Sequence, residues 1–149
     1  MSEQYPRWTW TGNELHDSTG LLLATVRSDV IDIEGDRLLI ESSPGPLRFR
    51  ARATSTNGDV YTVYQRGFTV STLVANCGDT SYALERTSVW RKERVIRGAR
   101  GVLAHVRPMI SGKVELIGTE LAELLPTVHA VFLSWACVLV DSPVRRPRV

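Results

Sequence analysis

Leu124-Leu-Pro-Thr-Val-His-Ala-Val-Phe-Leu-Ser-Trp-Ala-Cys-Val-Leu-Val140 is a helical stretch closing a chain that otherwise reads as short strands. Wound at about 100° per residue, it gathers Glu120, Glu123, Thr127, Ser134 and Asp141 into one narrow stripe. Val128, Val131, Phe132, Leu133, Trp135, Val138, Leu139 and Val140 cover the remaining circumference. A surface helix has a polar half; a helix this apolar needs burial on every side, inside a protein or inside a bilayer. Each large side chain gains roughly 1.5–3 kcal/mol from such burial.

The interior of a β-barrel is one host. The bilayer is the other, since the run reaches the lower edge of a spanning length and is followed by Arg145-Arg146, like a tail anchor with a basic flank. Pro126, His129, Ser134 and the preceding Glu123 argue for the protein interior, as does the need of the strands for a core. Thr119 suits an N-cap, with Glu120 and Glu123 in the first turn where carboxylates complement the helix dipole. Pro126 either kinks this helix or opens it after a short turn ending near Leu125. Asp141-Ser-Pro143 ends it, so the expected central helix covers about 120–141.

Upstream, between Trp8 and Ile117, apolar runs rich in Val, Leu, Ile, Thr and aromatics alternate with Gly, Asn, Asp, Ser and Pro. That rhythm belongs to an all-β sandwich or barrel. Leu21 to Arg27 is one run; Ile31 to Ile33 turns through Glu34-Gly35-Asp36 into Arg37 to Glu41. Leu47 to Ala53 alternates strictly, with Leu47, Phe49, Ala51 and Ala53 on one face and Arg48, Arg50 and Arg52 on the other. Val60 to Gln65, Thr69 to Ala75, Ser81 to Arg86, Arg94 to Arg97, Val102 to Arg107 and Lys113 to Ile117 complete the series, joined by turn signals such as Asn57-Gly58 and Gly78-Asp79. An offset of 80 lays Trp10 over Trp90, Leu15 over Val95, and Leu22 to Arg27 over Val102 to Arg107. It implies two similar sheet halves closed into one barrel.

With 149 residues, the chain is expected to form a single domain, 1–149, with a core that needs no staples. Cys77 and Cys137 suit free, buried thiols, and neither a disulfide nor a metal site is expected. The N-terminus has no apolar signal region, so the expected location is cytoplasmic. The formal net charge is +2, too small to indicate nucleic acid, and the basic residues lack the stacking-aromatic interleaving of RNA binders.

The meander of two similar halves followed by an apolar helix resembles the tubby-like superfamily, and within it small bacterial relatives of the LURP-one-related proteins and the phospholipid scramblases. The resemblance rests on Gly20-Leu-Leu-Leu-Ala-Thr-Val-Arg27 after Asp17, Phe68-Thr-Val70, Arg94-Val-Ile-Arg97 with Gly101-Val-Leu-Ala104, and the Pro126 to Asp141 helix. It implies a closed antiparallel barrel of about twelve strands threaded by the helix, and binding of membrane phospholipid. The tubby phosphoinositide-binding Lys and Arg motif has no counterpart at particular positions here. Asp29, Asp32 and Glu34 lack the spacing of a calcium loop.

Positive charge is concentrated between Arg86 and Arg107. Arg91, Lys92, Arg94, Arg97 and Arg100 are the expected anion-binding residues, because guanidinium groups fit phosphate oxygens. Arg48, Arg50 and Arg52 form a secondary basic stripe, equally readable as a solvated strand face. His16, His105 and His129 lack ligand spacing, and Trp8, Trp10, Trp90 and Trp135 are expected to pack the barrel. No nucleophile motif is present. The expectation is a non-enzymatic, cofactor-free module, cytoplasmic or peripheral to the membrane, that binds anionic phospholipid or another phosphorylated ligand. The alternatives are a scaffold with a protein partner and a tail-anchored protein.

Overall fold

The computed structural model describes residues 5–43, 48–88 and 90–141. Its strands are β1 (Arg7–Thr11), β2 (Glu14–His16), β3 (Leu22–Arg27), β4 (Val30–Ile33), β5 (Asp36–Ser43), β6 (Arg50–Ser55), β7 (Val60–Gln65), β8 (Thr72–Cys77), β9 (Thr80–Arg86), β10 (Arg94–Gly98), β11 (Gly101–Pro108) and β12 (Val114–Gly118), followed by the helix α1 (Thr127–Asp141). Every strand pairs antiparallel with its neighbours in sequence, and β12 returns to β1 through Trp8↔Leu116 and Trp10↔Val114, closing a twelve-strand barrel. Among the described strands no sheet edge is left over to template aggregation.

Alternation determines which side chains enter. On β6, Ala51 and Ala53 are buried while Arg50 and Arg52 are exposed. Leu47 lies outside the described residues, and Arg48 and Phe49 precede the strand rather than belonging to it. A barrel this wide exceeds what side chains alone can fill, and a helix with side chains is about 10–12 Å across. The inward alanines Ala24, Ala51, Ala53, Ala75 and Ala104 make the room. The helix occupies it: every residue from Ala130 to Leu139 is buried. The host of the apolar helix is therefore the barrel, and among the described residues no helix is long and apolar enough to cross a membrane.

The helix is shorter than the expected 120–141. Thr119 precedes a separate 3-10 turn, Ala122–Leu124, its hydroxyl accepting the Leu121 N–H at 3.1 Å and donating to the Val102 carbonyl at 2.6 Å. The chain extends at Leu125, as a residue before proline prefers, and the Pro126 carbonyl accepts the first helical bond from Ala130. Of the two alternatives at Pro126, the break is the one adopted.

The 80-residue offset lays β3 on β11 with matching burial at Ala24 and Ala104 and at Val26 and Val106. Each strand pairs with the strand before it across a register shift, after Leu15 and after Ile96 respectively. Leu15 faces Ala24 and Ile96 faces Ala104, so the residue equivalent to Leu15 is Ile96 rather than Val95. Trp10 and Trp90 diverge altogether: the first is fully buried, the second 90% exposed.

Candidate functional site

Alternation along β10 places Arg94 on the same inward face as Ile96, and both are fully buried. A bare guanidinium there would be prohibitive, but all five of its donors are engaged. Nε and Nη2 grip the two oxygens of Asp141, at 2.6 and 3.0 Å. Nη1 bonds the carbonyls of Leu84 and Ser71, at 3.1 and 3.3 Å, and Nη2 that of Val70, at 2.6 Å. Arg86 adds a bond to Asp141 Oδ1 at 2.9 Å, and the Lys92 ammonium reaches the Asp141 carbonyl at 3.2 Å. Cations at a helix C-terminus complement its dipole.

This arrangement takes Arg94 out of the expected anion site of residues 91–100. Arg94 has no donor left for a ligand and no exposed surface. Lys92 holds the end of α1, and Arg97 is paired with Glu85 at 3.0 Å. Arg91 and Arg100 are exposed and without an ion-pair partner among the described residues, but they sit at opposite ends of β10, beside opposite rims of the barrel. Sequence density had suggested a cluster; the strand pleat and the antiparallel turn disperse it.

The secondary stripe keeps its charge free. Arg48, Arg50, Arg52 and Arg66 are exposed and have no ion-pair partner among the described residues. Cross-strand register sets Arg50 beside Ser43 and Tyr64, and Arg52 beside Glu41 and Thr62. Among the described residues lining this wall Glu41 is the one carboxylate, and it makes no ion pair with Arg52. Two shallow grooves result. One, of about 480 Å³, runs between Glu41, Ser43, Arg50, Arg52 and Thr62; the other, of about 600 Å³, is lined by Arg48, Arg50, Arg66 and Phe68. Tyr64 borders both. Gln65 fixes the approach of the chain to β6, its Oε1 accepting the Phe49 N–H at 3.0 Å.

Inside the barrel mouth nearest Thr127, His129 Nδ1 lies 2.7 Å from the Tyr82 hydroxyl, with the Tyr61 ring edge-on at 5.2 Å. Burial lowers the His129 imidazole below its usual value and raises the Tyr82 hydroxyl to about 12. Cys77 and Cys137 are free buried thiols, each pushed by burial up to about 12. A thiol so placed is a poor nucleophile. Among the described residues no group of three His, Cys, Asp or Glu side chains is placed to hold a metal.

The tryptophans divide. Trp10 and Trp135 are in contact, centroids 4.9 Å apart, and the Trp10 indole donates to Ser134 at 2.9 Å. Trp90 instead stands exposed in the β9–β10 connection, against the expectation that it packs the barrel. No family model, curated protein or solved structure matches this chain.

Proposed function

We propose that the protein is a non-enzymatic binding module for a phosphate-bearing anion, with the anionic phospholipid headgroup as its foremost ligand. The observation that carries this reading is the wall of Arg48, Arg50, Arg52 and Arg66: four exposed guanidinium groups without ion-pair partners among the described residues, beside two adjoining grooves. Guanidinium forks suit phosphate oxygens in two-point contact. Arg50 and Arg52, held along the outward face of β6, present those forks without a large ordering cost. The raised thiols of Cys77 and Cys137 and the engagement of Arg94 with Asp141 leave the barrel interior to stability, which supports a binding role over catalysis. The tubby-like relationship belongs to the same proposal, since the resemblance implied both this architecture and phospholipid binding.

The test is flotation with vesicles of phosphatidylcholine alone and of equal parts phosphatidylcholine and phosphatidylglycerol, across a salt series, beside titration with inorganic phosphate. Wild-type protein is expected to float with the anionic vesicles and to lose binding as salt screens the contact. The Arg48→Glu/Arg50→Glu/Arg66→Glu variant should stay folded and lose binding. Wild type that binds neither vesicle nor phosphate, or a variant that binds undiminished, overturns the reading.

A further inference from the structure

In an antiparallel meander alternate connections share one end of the barrel, so the two rims are distinguishable residue by residue. Among the described residues, the rim at the Asp141 end is built from 12–13, 28–29, 48–49, 66–71, 87–88, 90–93 and 109–113. These carry Arg48, Arg66, Arg91, Lys92 and Lys113 against Asp29 and Glu93. The opposite rim, made of 17–21, 34–35, 56–59, 78–79, 99–100 and 119–126, carries Asp17, Glu34, Asp59, Asp79, Glu120 and Glu123 against Arg100 alone. The barrel is thus electrically polarised along its axis.

Among the described residues, the three most exposed large apolar side chains stand on the same rim. Phe68 is 96% exposed in the β7–β8 connection and Trp90 is 90% exposed in the β9–β10 connection, while Ile110 is fully exposed beside the half-exposed Met109 in the β11–β12 connection. These are successive connections around one half of the rim, each interleaved with a cation: Arg66 with Phe68, Arg91 with Trp90, Lys113 with Ile110. Single exposed apolar residues are ordinary. Three consecutive loops at one basic end, each lifting one into water, are a pattern.

We infer that the Asp141 rim is a bilayer-docking surface: Phe68, Trp90 and Ile110 enter the interfacial region of an anionic membrane, with the barrel axis steep to the membrane and the acidic rim facing away. The inference rests on the anion-binding reading and specifies its partner and orientation. Tips on separate loops suit a fluid interface, which adapts to each one, better than a preformed protein pocket that requires a contiguous patch. Tryptophan favours the headgroup level, and the basic flank supplies attraction of about 1 kcal/mol per cation near an anionic surface. The acidic rim opposes the reverse orientation.

The experiment uses full-length protein and vesicles of equal parts phosphatidylcholine and phosphatidylglycerol, with acyl chains brominated in a parallel set. Trp10 and Trp135 are enclosed in the barrel and Trp8 is partly buried on β1 toward the opposite rim, so bromine quenching of the protein's fluorescence should come from Trp90 and disappear in Trp90→Phe. The Phe68→Ser/Trp90→Ser/Ile110→Ser variant should keep its melting temperature and bind these vesicles about tenfold more weakly or worse. Vesicle binding without Trp90 quenching, and with the triple variant unimpaired, overturns the rim assignment while leaving the arginine wall as an anion site. Binding of inorganic phosphate without vesicle binding overturns it likewise and leaves a soluble ligand. Self-association of wild type, lost in the triple variant and unaccompanied by vesicle binding, assigns the tips to a second copy and overturns it. Absence of all binding removes both proposals.

Discussion

Arg94 on β10 and Asp141 at the last turn of α1 form a fully buried, two-point ion pair that joins the barrel wall to the end of its central helix. The pair is sealed by the carbonyls of Val70, Ser71 and Leu84. Removing one partner leaves the other buried and uncompensated, a penalty of about 3–5 kcal/mol. Arg94→Ala and Asp141→Ala are each expected to lose that much in denaturant unfolding. Replacing both by apolar residues, Arg94→Met with Asp141→Leu, should recover a substantial part of it. Full additivity of the two single losses in a double-mutant cycle would show that the pair is uncoupled.

Charge reversal distinguishes structural from surface arginines. Arg94→Glu sets two carboxylates together in the interior and is expected to abolish cooperative folding. Arg91→Glu changes a solvated side chain and should alter the melting temperature little. Circular dichroism melts of the two variants make the comparison, and a cooperative, near-wild-type melt for Arg94→Glu would contradict the buried pairing.

His129 carries a pH signature. Burial depresses its folded value below the ordinary 6.5, so in the interval between them the unfolded chain binds more protons than the folded one. The stability at stake is present above about 6.5 and is lost as pH falls through the depressed folded value. Tyr82 and Tyr61 are the titratable groups packed against the ring, and both are raised by burial, hence neutral in this range. Unfolding free energy should decline on acidification below pH 6.5, and His129→Gln should flatten that decline. An identical pH slope in the variant would assign it elsewhere.

Gly118 lies where β12 hands the chain to the 3-10 turn. A Cβ added there would stand 2.8 Å from the Ala122 Cβ and 3.0 Å from the Pro6 ring, closer than packed carbons tolerate. Gly118→Ala should therefore destabilise by about 1–3 kcal/mol, with part of the loss restored by adding Ala122→Gly. Calorimetry of the single and double variants reads this, and a neutral Gly118→Ala would show that the turn yields freely.

Truncation after Leu125 removes α1 and leaves the inward faces of twelve strands around an empty interior. No cooperative thermal transition is expected for the truncated chain. A folded, monomeric barrel from residues 1–125 would show that the strands possess a core independent of the helix.

Much of this architecture is local in the sequence. Period-two alternation from Phe49 to Ala53 predicted which side chains enter the barrel, because the strand pleat leaves no other option. The apolar circumference of Val128 to Val140 demanded complete burial. The polar stripe of the helix was legible too, but its meaning was not: Ser134 and Asp141 look like a solvated edge on a wheel, and they meet Trp10 and Arg94 inside. A cue lay in the two-residue step from Arg94 to Ile96, which puts that arginine on an apolar face.

Local sequence pattern thus accounts for the content of the molecule: short alternating strands, an apolar helix requiring a host, and more positive than negative charge. Tertiary structure alone decided how those charges are distributed. Antiparallel turns send neighbours in sequence to opposite ends, so Arg91 and Arg100 part company, while barrel closure brings Arg48, Arg66, Arg91, Lys92 and Lys113 to one rim. Sequence adjacency measures distance along the chain, whereas electrostatics acts through space, and only the folded meander relates the two.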